Sequence, residues 1–139
     1  QLKKFKKFNM LRNKNFKLHC DFFRKLNNHF IVPKIEKDVK TNFLAYPIIL
    51  KNKLNFSRKE IQIYLEKNNV QTRPIFSGNS LRHPAFSSLI NKTNKLNSFK
   101  DSDYIMKHGL LIGCHQGLSL ENITYINDLI INFVNKRDK

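Results

Sequence analysis

From Leu2 to Leu11 and again from Phe16 to Phe30, an apolar side chain or His19 recurs every third or fourth residue, and lysine, arginine or asparagine fills most positions between. Apolar residues at this spacing share one helix face, so the pattern predicts a long amphipathic helix that ends near residues 27–28. An apolar stripe needs a surface to pack on, which favours a packing helix with a solvated lysine face over a nucleic-acid-binding helix. The stripe consists of Leu2, Phe5, Phe8, Leu11, Phe16, His19, Phe23, Leu26 and Phe30.

A loop and a buried strand follow this helix. Pro33 interrupts the helical pattern, and residues 33–42 have the mostly polar composition of a connecting loop. The apolar run Phe43–Leu50 predicts a mostly buried strand. Pro47 lies inside this run and cannot donate a ladder hydrogen bond, so we expect an edge position or a bulge there.

The next segment begins with a helix-capping signal. Ser57 and Glu60 have the spacing of a capping box, in which each side chain accepts a hydrogen bond from the other residue's backbone amide. They predict a helix that stops at residues 68–69. A short strand over residues 70–76 and a sharp turn at residues 77–79 complete this segment.

The last third of the chain predicts a loop, two helices and one strand. Residues 87–100 are rich in Ser, Asn and Lys, as in a surface loop. A short helix over residues 101–108 follows, with Gly109 as its left-handed cap, and then a strand over residues 110–112. Ser119 caps a final helix. The inward face of that helix consists of Ile123, Ile126, Ile130 and Phe133.

The order of these elements indicates the fold class. Helices and strands alternate without a repeat, which predicts an α+β fold of two layers, with helices packed on a small, mainly antiparallel sheet. The 139 residues suffice for one domain with a core of its own. Gln1 already lies inside the helical pattern with no capping residue before it, so we expect a fragment whose first helix is cut.

The charge balance raises nucleic acid as a partner. The 26 basic residues outnumber the 10 acidic ones and give a formal net charge of +16. The chain has 20 Lys against 6 Arg and is rich in Asn, Ile and Phe, residues that share A/T-rich codons. Since the basic residues are also spread widely, we treat nucleic acid as an unlikely partner and keep a standalone basic nucleic-acid-binding domain as the alternative function.

Cysteine usage and hydropathy bear on the compartment. Cys20 and Cys114 lack metal-ligand spacing and form no disulfide framework, so a reduced, cytoplasmic setting is the default interpretation. The longest apolar run, Phe43–Leu50, has eight residues, which is too short to span a membrane. We therefore expect neither a membrane partner nor a metal site.

Two segments could carry chemistry. The first places Arg73, Ser77, Asn79 and Arg82 at a strand end and its turn, where two arginines would suit a phosphate group. An ordinary turn with a positive φ at Gly78 and surface arginines explains the same residues equally well.

The second segment is Ile112–Leu118, which contains His115 between glycines. His115 could contact a ligand or transfer a proton, although a structural donor is the commoner role of a histidine after a strand. A Cys114–His115 nucleophile pair is disfavoured, because adjacent residues of an extended chain point in opposite directions. The residues alone thus predict a possible anion site but no reaction.

Taken in order, these motifs resemble the C-terminal part of the DegT/StrS sugar aminotransferase family. The resemblance extends over nearly the whole chain, from an opening like the family's long interdomain helix. The motifs that carry it are Thr72–Pro74, Ser77–Asn79, Arg82–Pro84, Asp103–Met106, Gly109 and Ile112–Leu118.

The resemblance implies the small domain of a fold-type I enzyme that uses pyridoxal phosphate, acts on a nucleotide-linked 4-keto-6-deoxysugar and forms a homodimer. Most members transfer an amino group, and a subgroup removes the C3 hydroxyl in O-antigen and lipopolysaccharide biosynthesis. The sequences of Ser77–Asn79 and Ile112–Leu118 are closer to those of that 3-dehydratase subgroup.

The resemblance also implies a division of labour. Residues 1–30 would be the interdomain helix and residues 31–139 the small domain. The catalytic residues and most cofactor contacts would lie in a large N-terminal domain upstream, so the fragment alone is expected to be inactive. A truncated remnant without a role is a further hypothesis. Matching motif positions give the expected substrate contacts as Arg73, Ser77, Asn79, Arg82 and His115.

Overall fold

A four-stranded antiparallel sheet forms one layer of the molecule, in the order β1-β2-β4-β3. The structure is a computed structural model and describes residues 2–86, 88 and 98–138. The strands are β1 (Phe30–Ile31), β2 (Ala45–Leu50), β3 (Thr72–Pro74) and β4 (Gly109–Gly113).

Helices cover one face of this sheet, which confirms the predicted α+β fold of two layers. Short 3₁₀ turns occur at Leu2–Lys4, Ser80–Arg82 and Pro84–Phe86. In the described part of the chain, no helix has the length and apolar character needed to cross a membrane. The α-helices are α1 (Phe5–Lys25), α2 (Arg58–Lys67), α3 (Lys100–His108) and α4 (Leu120–Arg137).

The core lies between the sheet and α1, α2 and α4. Along β2, Tyr46, Ile48 and Leu50 are buried, while the alternate residues are only partly covered, as the two-residue period of a strand requires. The Tyr46 ring stacks on Phe23 of α1 with the centroids 5.0 Å apart. This alternation leaves the opposite face of the sheet half open.

Both capping boxes set helix starts. The Ser57 side chain accepts from the Glu60 amide and the Glu60 carboxylate accepts from the Ser57 amide, as predicted. The same reciprocal pair joins Ser119 and Asn122 at α4. Asn69 has a positive φ of 61°, so the helical conformation of α2 ends at residues 68–69, as the sequence predicted. These boundaries follow from local hydrogen bonding alone.

The first helix is shorter than predicted. α1 ends at Lys25, and Phe30 lies in β1 instead of on the helix. The amide of Phe30 donates to the Leu26 carbonyl in the turn, and its ring packs edge-on against Phe23, 5.1 Å between centroids. Phe30 thus keeps the apolar spacing of the stripe because it reaches the same core from a strand.

One proline and one glycine of the sheet correct two further predictions. β2 is not an edge strand, since it lies between β1 and β4. β1 pairs only with Ile49 and Leu50, however, so Pro47 has no partner on that side. Gly109 is not a left-handed cap, because its φ is −100° and it begins β4. A Cβ there would lie 2.7 Å from the Ile105 carbonyl oxygen and 2.6 Å from Ile75 Cδ1, so the close approach of the α3 backbone favours glycine here.

The remaining boundaries differ by a few residues. β2 begins at Ala45 and β3 covers only Thr72–Pro74, both shorter than predicted. The short helix α3 begins at Lys100. Most of the predicted 87–100 loop lies outside the described residues. The inward face predicted for α4 is buried as expected.

Candidate functional site

A groove of about 540 Å³ opens at the end of the sheet where Ala45 pairs with Gly113. It brings together the end of β4, the exposed side of β3 and the first turns of α4. Arg73 and His115, two of the five predicted site residues, both line it. The other lining residues are Ala45, Asn69, Val70, Gln71, Leu111, Ile112, Gly113, Gly117, Leu118, Asn122, Tyr125 and Ile126.

Strand alternation directs Arg73 away from the core. Its neighbour Thr72 is buried and donates from Oγ1 to Glu66 at 2.5 Å, so Arg73 projects from the opposite, exposed side of β3. That hydrogen bond, with a second from Gln62, holds the pKa of the Glu66 carboxyl below its usual value. Among the described residues, no carboxylate lies within salt-bridge distance of the Arg73 guanidinium. A guanidinium in this position can grip a phosphate bidentately.

The backbone of its loop holds the His115 ring in place. Nδ1 accepts from the Gly117 amide at 3.2 Å, so the neutral ring carries its proton on Nε2. A Cβ on Gly117 would lie 3.1 Å from Nδ1, and this glycine therefore gives the ring room. The His115 carbonyl accepts from the buried Asn15 amide at 2.9 Å, which ties the loop to α1. Nε2–H has no acceptor among the described residues and can donate to a ligand in the groove.

Cys114 points the other way, into the core. It has no exposed surface, and burial raises the pKa of its thiol to about 12. Its Sγ–H donates weakly to the Arg12 carbonyl at 3.5 Å. A buried thiol that stays protonated is not a nucleophile, so Cys114 and His115 do not form a nucleophile pair.

A buried histidine supports the groove from behind. His19 of α1 is fully buried, and its Nε2–H donates to the Gly113 carbonyl at 3.1 Å. Burial lowers the pKa of His19 to about 4, so the ring is neutral at physiological pH. The sequence placed His19 on the apolar stripe and gave no sign of this contact with β4.

Two predicted site residues lie in a separate cluster away from the groove. Arg82 donates to both carboxylate oxygens of Asp103, at 2.9 and 2.5 Å, and Asn79 donates to the same carboxylate at 2.7 Å. The Asn79 side-chain oxygen accepts from the Leu81 amide. These bonds, that from Arg82 first, lower the pKa of Asp103 to about 2. We call this cluster the loop anchor, because it fixes the turn after β3 to α3.

Ser77 lies on the exposed turn between these two regions. Its carbonyl accepts from His83 Nε2–H at 2.8 Å. Gly78 has a φ of +62°, as predicted, and a Cβ there would lie 2.5 Å from Met106 Cβ. The turn therefore needs glycine for its backbone conformation and for its packing on α3.

The sequence did not single out Tyr125 and Gln116. Tyr125 lines the groove from α4, and its hydroxyl donates to the Asn68 carbonyl at 3.1 Å. The Gln116 side chain accepts from Arg12 Nε at 2.8 Å and joins the His115 loop to α1. Gln116 lies within the Ile112–Leu118 motif and Tyr125 in no motif, but the role of each depends on a contact between distant segments. In the described chain, no three or more His, Cys, Asp and Glu side chains cluster where a metal could bind.

Similarity to known proteins covers almost the whole chain. A profile of the DegT/DnrJ/EryC1/StrS aminotransferase family matches residues 1–131. Lipopolysaccharide biosynthesis protein RfbH of Salmonella typhimurium is 25% identical over 126 residues, which cover 91% of this chain and 28% of that protein. GDP-4-keto-6-deoxy-D-mannose 3-dehydratase of Yersinia pseudotuberculosis is 28% identical over 116 residues, covering 84% of this chain and 28% of that one.

Solved structures share the fold. The Escherichia coli GDP-4-keto-6-deoxy-D-mannose-3-dehydratase with bound hydrated PLP superposes with a TM-score of 0.75 at 23% identity, over 92% of this chain and 32% of that one. The aminotransferase from Psychrobacter cryohalolentis gives a TM-score of 0.85 at 16% identity, over 100% of this chain and 37% of that one. The chain spans between 28% and 32% of the length of the curated relatives it matches.

Proposed function

The chain belongs to the DegT/DnrJ/EryC1/StrS aminotransferase family, and from this premise we propose that it is the small domain of a pyridoxal phosphate-dependent enzyme acting on a nucleotide-linked 4-keto-6-deoxysugar. Several curated relatives are named as 3-dehydratases of such sugars, and one as a lipopolysaccharide biosynthesis protein. This supports C3 dehydration over transamination. The observation that carries the proposal is the groove in which Arg73 and His115 face an apolar floor.

The groove does not fit pyridoxal phosphate by itself. None of the residues that line it in the described chain is a lysine or a carboxylate, so it offers neither an amine for the cofactor aldehyde nor a partner for the pyridine nitrogen. The cofactor would be held mainly by an N-terminal large domain of the kind that makes up the rest of the longer relatives. This chain then acts on the substrate.

Arg73 and His115 have complementary roles in substrate binding. The guanidinium of Arg73 would bind the diphosphate of the nucleotide sugar, because its planar donors match phosphate oxygens. His115 Nε2–H would donate to an oxygen of the sugar. Leu111, Val70 and Ile126 supply an apolar floor on which a deoxygenated sugar loses little hydrogen bonding.

The other three predicted substrate contacts differ in whether their side chains are already hydrogen-bonded within the chain. Ser77 remains a candidate contact because its side chain is exposed on the turn. Asn79 and Arg82 already use donors within the loop anchor, so we assign them to positioning this turn.

The rest of the enzyme would cover surfaces that this chain leaves open. Leu2, Phe5 and Met10 at the start of the first helical segment are exposed by 91%, 53% and 64%, whereas Phe16 and Phe23 farther along α1 are buried. We propose that residues 1–30 act as the interdomain helix against the large domain, that residues 31–139 form the small domain, and that the protein is a cytoplasmic homodimer.

The test uses the full-length protein with GDP-linked 4-keto-6-deoxymannose as the probe. Titration calorimetry should show that Arg73→Gln weakens binding roughly 10- to 100-fold, because a charge-assisted hydrogen bond contributes about 1.5–3 kcal/mol. Arg24→Gln is the matched control, since Arg24 is a surface arginine paired with Asp21. Mass spectrometry of the product distinguishes loss of water from gain of an amino group.

Two outcomes would contradict the proposal. Equal affinities of Arg73→Gln and the parent protein would remove Arg73 from the substrate site. Absence of both products with the cofactor-loaded protein would reject the enzymatic function and leave the basic nucleic-acid-binding domain as the alternative. That alternative predicts an affinity for DNA or RNA that falls steeply as salt rises.

A further inference from the structure

A second concave surface lies at the opposite end of the sheet from the groove. It is a hollow of about 250 Å³ beside the end of β2 and the start of β4. Five of its nine lining residues are Lys or Arg, against 26 in the 139 residues of the chain. We call it the basic hollow; it is lined by Lys51, Lys53, Leu54, Phe56, Ser57, Arg58, Lys59, Lys107 and His108.

Tertiary contacts assemble the basic hollow from three segments. The turn after β2 supplies Lys51 and Lys53, the latter at a φ of 64°. The first turn of α2 supplies Arg58 and Lys59, and the end of α3 supplies Lys107. Backbone and side-chain bonds fix these segments: the Lys51 amide donates to the His29 carbonyl at 2.8 Å, and the Tyr104 hydroxyl donates to the Leu50 carbonyl at 2.7 Å.

The positive charge of the basic hollow is not neutralised within the described chain. No carboxylate lines it, and none of its five cations lies within salt-bridge distance of one among the described residues. The acid next to it in sequence, Glu60, accepts from Ser57 and pairs with Arg137 at 3.0 Å. Like charges held together repel each other, and an anion between them removes that repulsion.

We propose that the basic hollow binds a ligand that carries a diphosphate group. Several cations on different walls match a ligand with several charges better than a monoanion. Leu54 and Phe56 give the hollow an apolar floor. The site is separate from the proposed substrate groove, since Lys51 follows the end of β2 that lies farthest from Ala45.

The experiment measures binding of inorganic pyrophosphate to the full-length, cofactor-loaded protein by titration calorimetry at constant ionic strength. The double variant Lys51→Gln/Lys107→Gln should weaken binding about three- to tenfold, as expected for two partly exposed charges. Lys37→Gln/Lys40→Gln is the control with the same loss of charge, because both lysines are exposed, lie outside the proposed interdomain helix and do not line the hollow. Unchanged melting temperatures show that both variants fold.

A second titration with a nucleoside diphosphate distinguishes a nucleotide ligand from free pyrophosphate. The measurement is repeated in Arg73→Gln, which removes the proposed contact in the groove. Binding of either probe that survives Arg73→Gln but falls in Lys51→Gln/Lys107→Gln supports the inference, and the tighter probe identifies the ligand class. The inference is overturned if neither probe binds, if both double variants weaken binding equally, or if only Arg73→Gln abolishes it. Only the second of these results leaves the proposed substrate groove unaffected, since failure of a nucleoside diphosphate to bind would also count against Arg73.

Discussion

Arg73 and Arg82 come from one polar stretch of sequence, and the fold gives them opposite surroundings. Arg73 projects from β3 into the groove with no carboxylate partner in the described chain, whereas Arg82 is held bidentately by Asp103. A guanidinium that already holds a carboxylate with two of its five N–H donors offers a phosphate fewer donors and a partly neutralised charge. The comparison separates a region suited to a ligand from a region that holds a turn in place.

The largest effect is expected where the loop anchor depends on backbone conformation. Gly78→Ala places a Cβ at a φ of +62°, 2.5 Å from Met106 Cβ. Strain and overpacking should lower the free energy of unfolding by about 2–4 kcal/mol. Chemical denaturation measures this, with Ser80→Ala on the same exposed turn as the control. A loss no larger than that of the control would show that the turn is not held against α3.

A smaller effect separates the two arginines by their pH dependence. The pKa of Asp103 is about 2 in the folded chain against an ordinary value of 3.8. Its pairing therefore stabilises the fold fully at pH values above 3.8. This contribution is lost as the pH falls from about 4 to about 2. Arg82→Gln should flatten the stability profile in that window, because Arg82 is the first cause of the shift. Arg73→Gln should flatten the profile less than Arg82→Gln, because the charge of Arg73 is only a lesser cause of the lowered Glu66 pKa. An equal flattening in both variants would contradict the distinction.

The smallest effect on stability is expected at His115. His115→Asn keeps an acceptor near the Nδ1 position for the exposed Gly117 amide and removes Nε2–H, so it should cost less than about 1 kcal/mol of unfolding free energy. If the ring serves the substrate, the affinity for the nucleotide sugar should fall while the melting temperature scarcely moves. A large fall in the melting temperature with unchanged affinity would make His115 a structural residue.

Local signals account for the parts of the fold that were predicted correctly. Ser57 and Ser119 fix the starts of α2 and α4 through hydrogen bonds within four residues, and the buried face of α4 follows from its periodicity. Phe30 and Gly109 were misplaced for the opposite reason. The spacing of Phe30 suits a helix and a strand alike. A glycine after a helix is typical of a left-handed cap, but Gly109 begins β4, where the Ile105 carbonyl and the Ile75 side chain leave little room for a Cβ.

The sequence by itself determined the α+β order of elements, the caps, the positive φ of Gly78 and the family resemblance, because each resides in neighbouring residues or in ordered motifs. The tertiary structure decided which charged residues are paired. Asp103 lies 21 positions from Arg82, and Lys107 joins Lys51 only where α3 packs beside the end of β2. Electrostatic interactions depend on distance in space, and a linear pattern does not contain that distance.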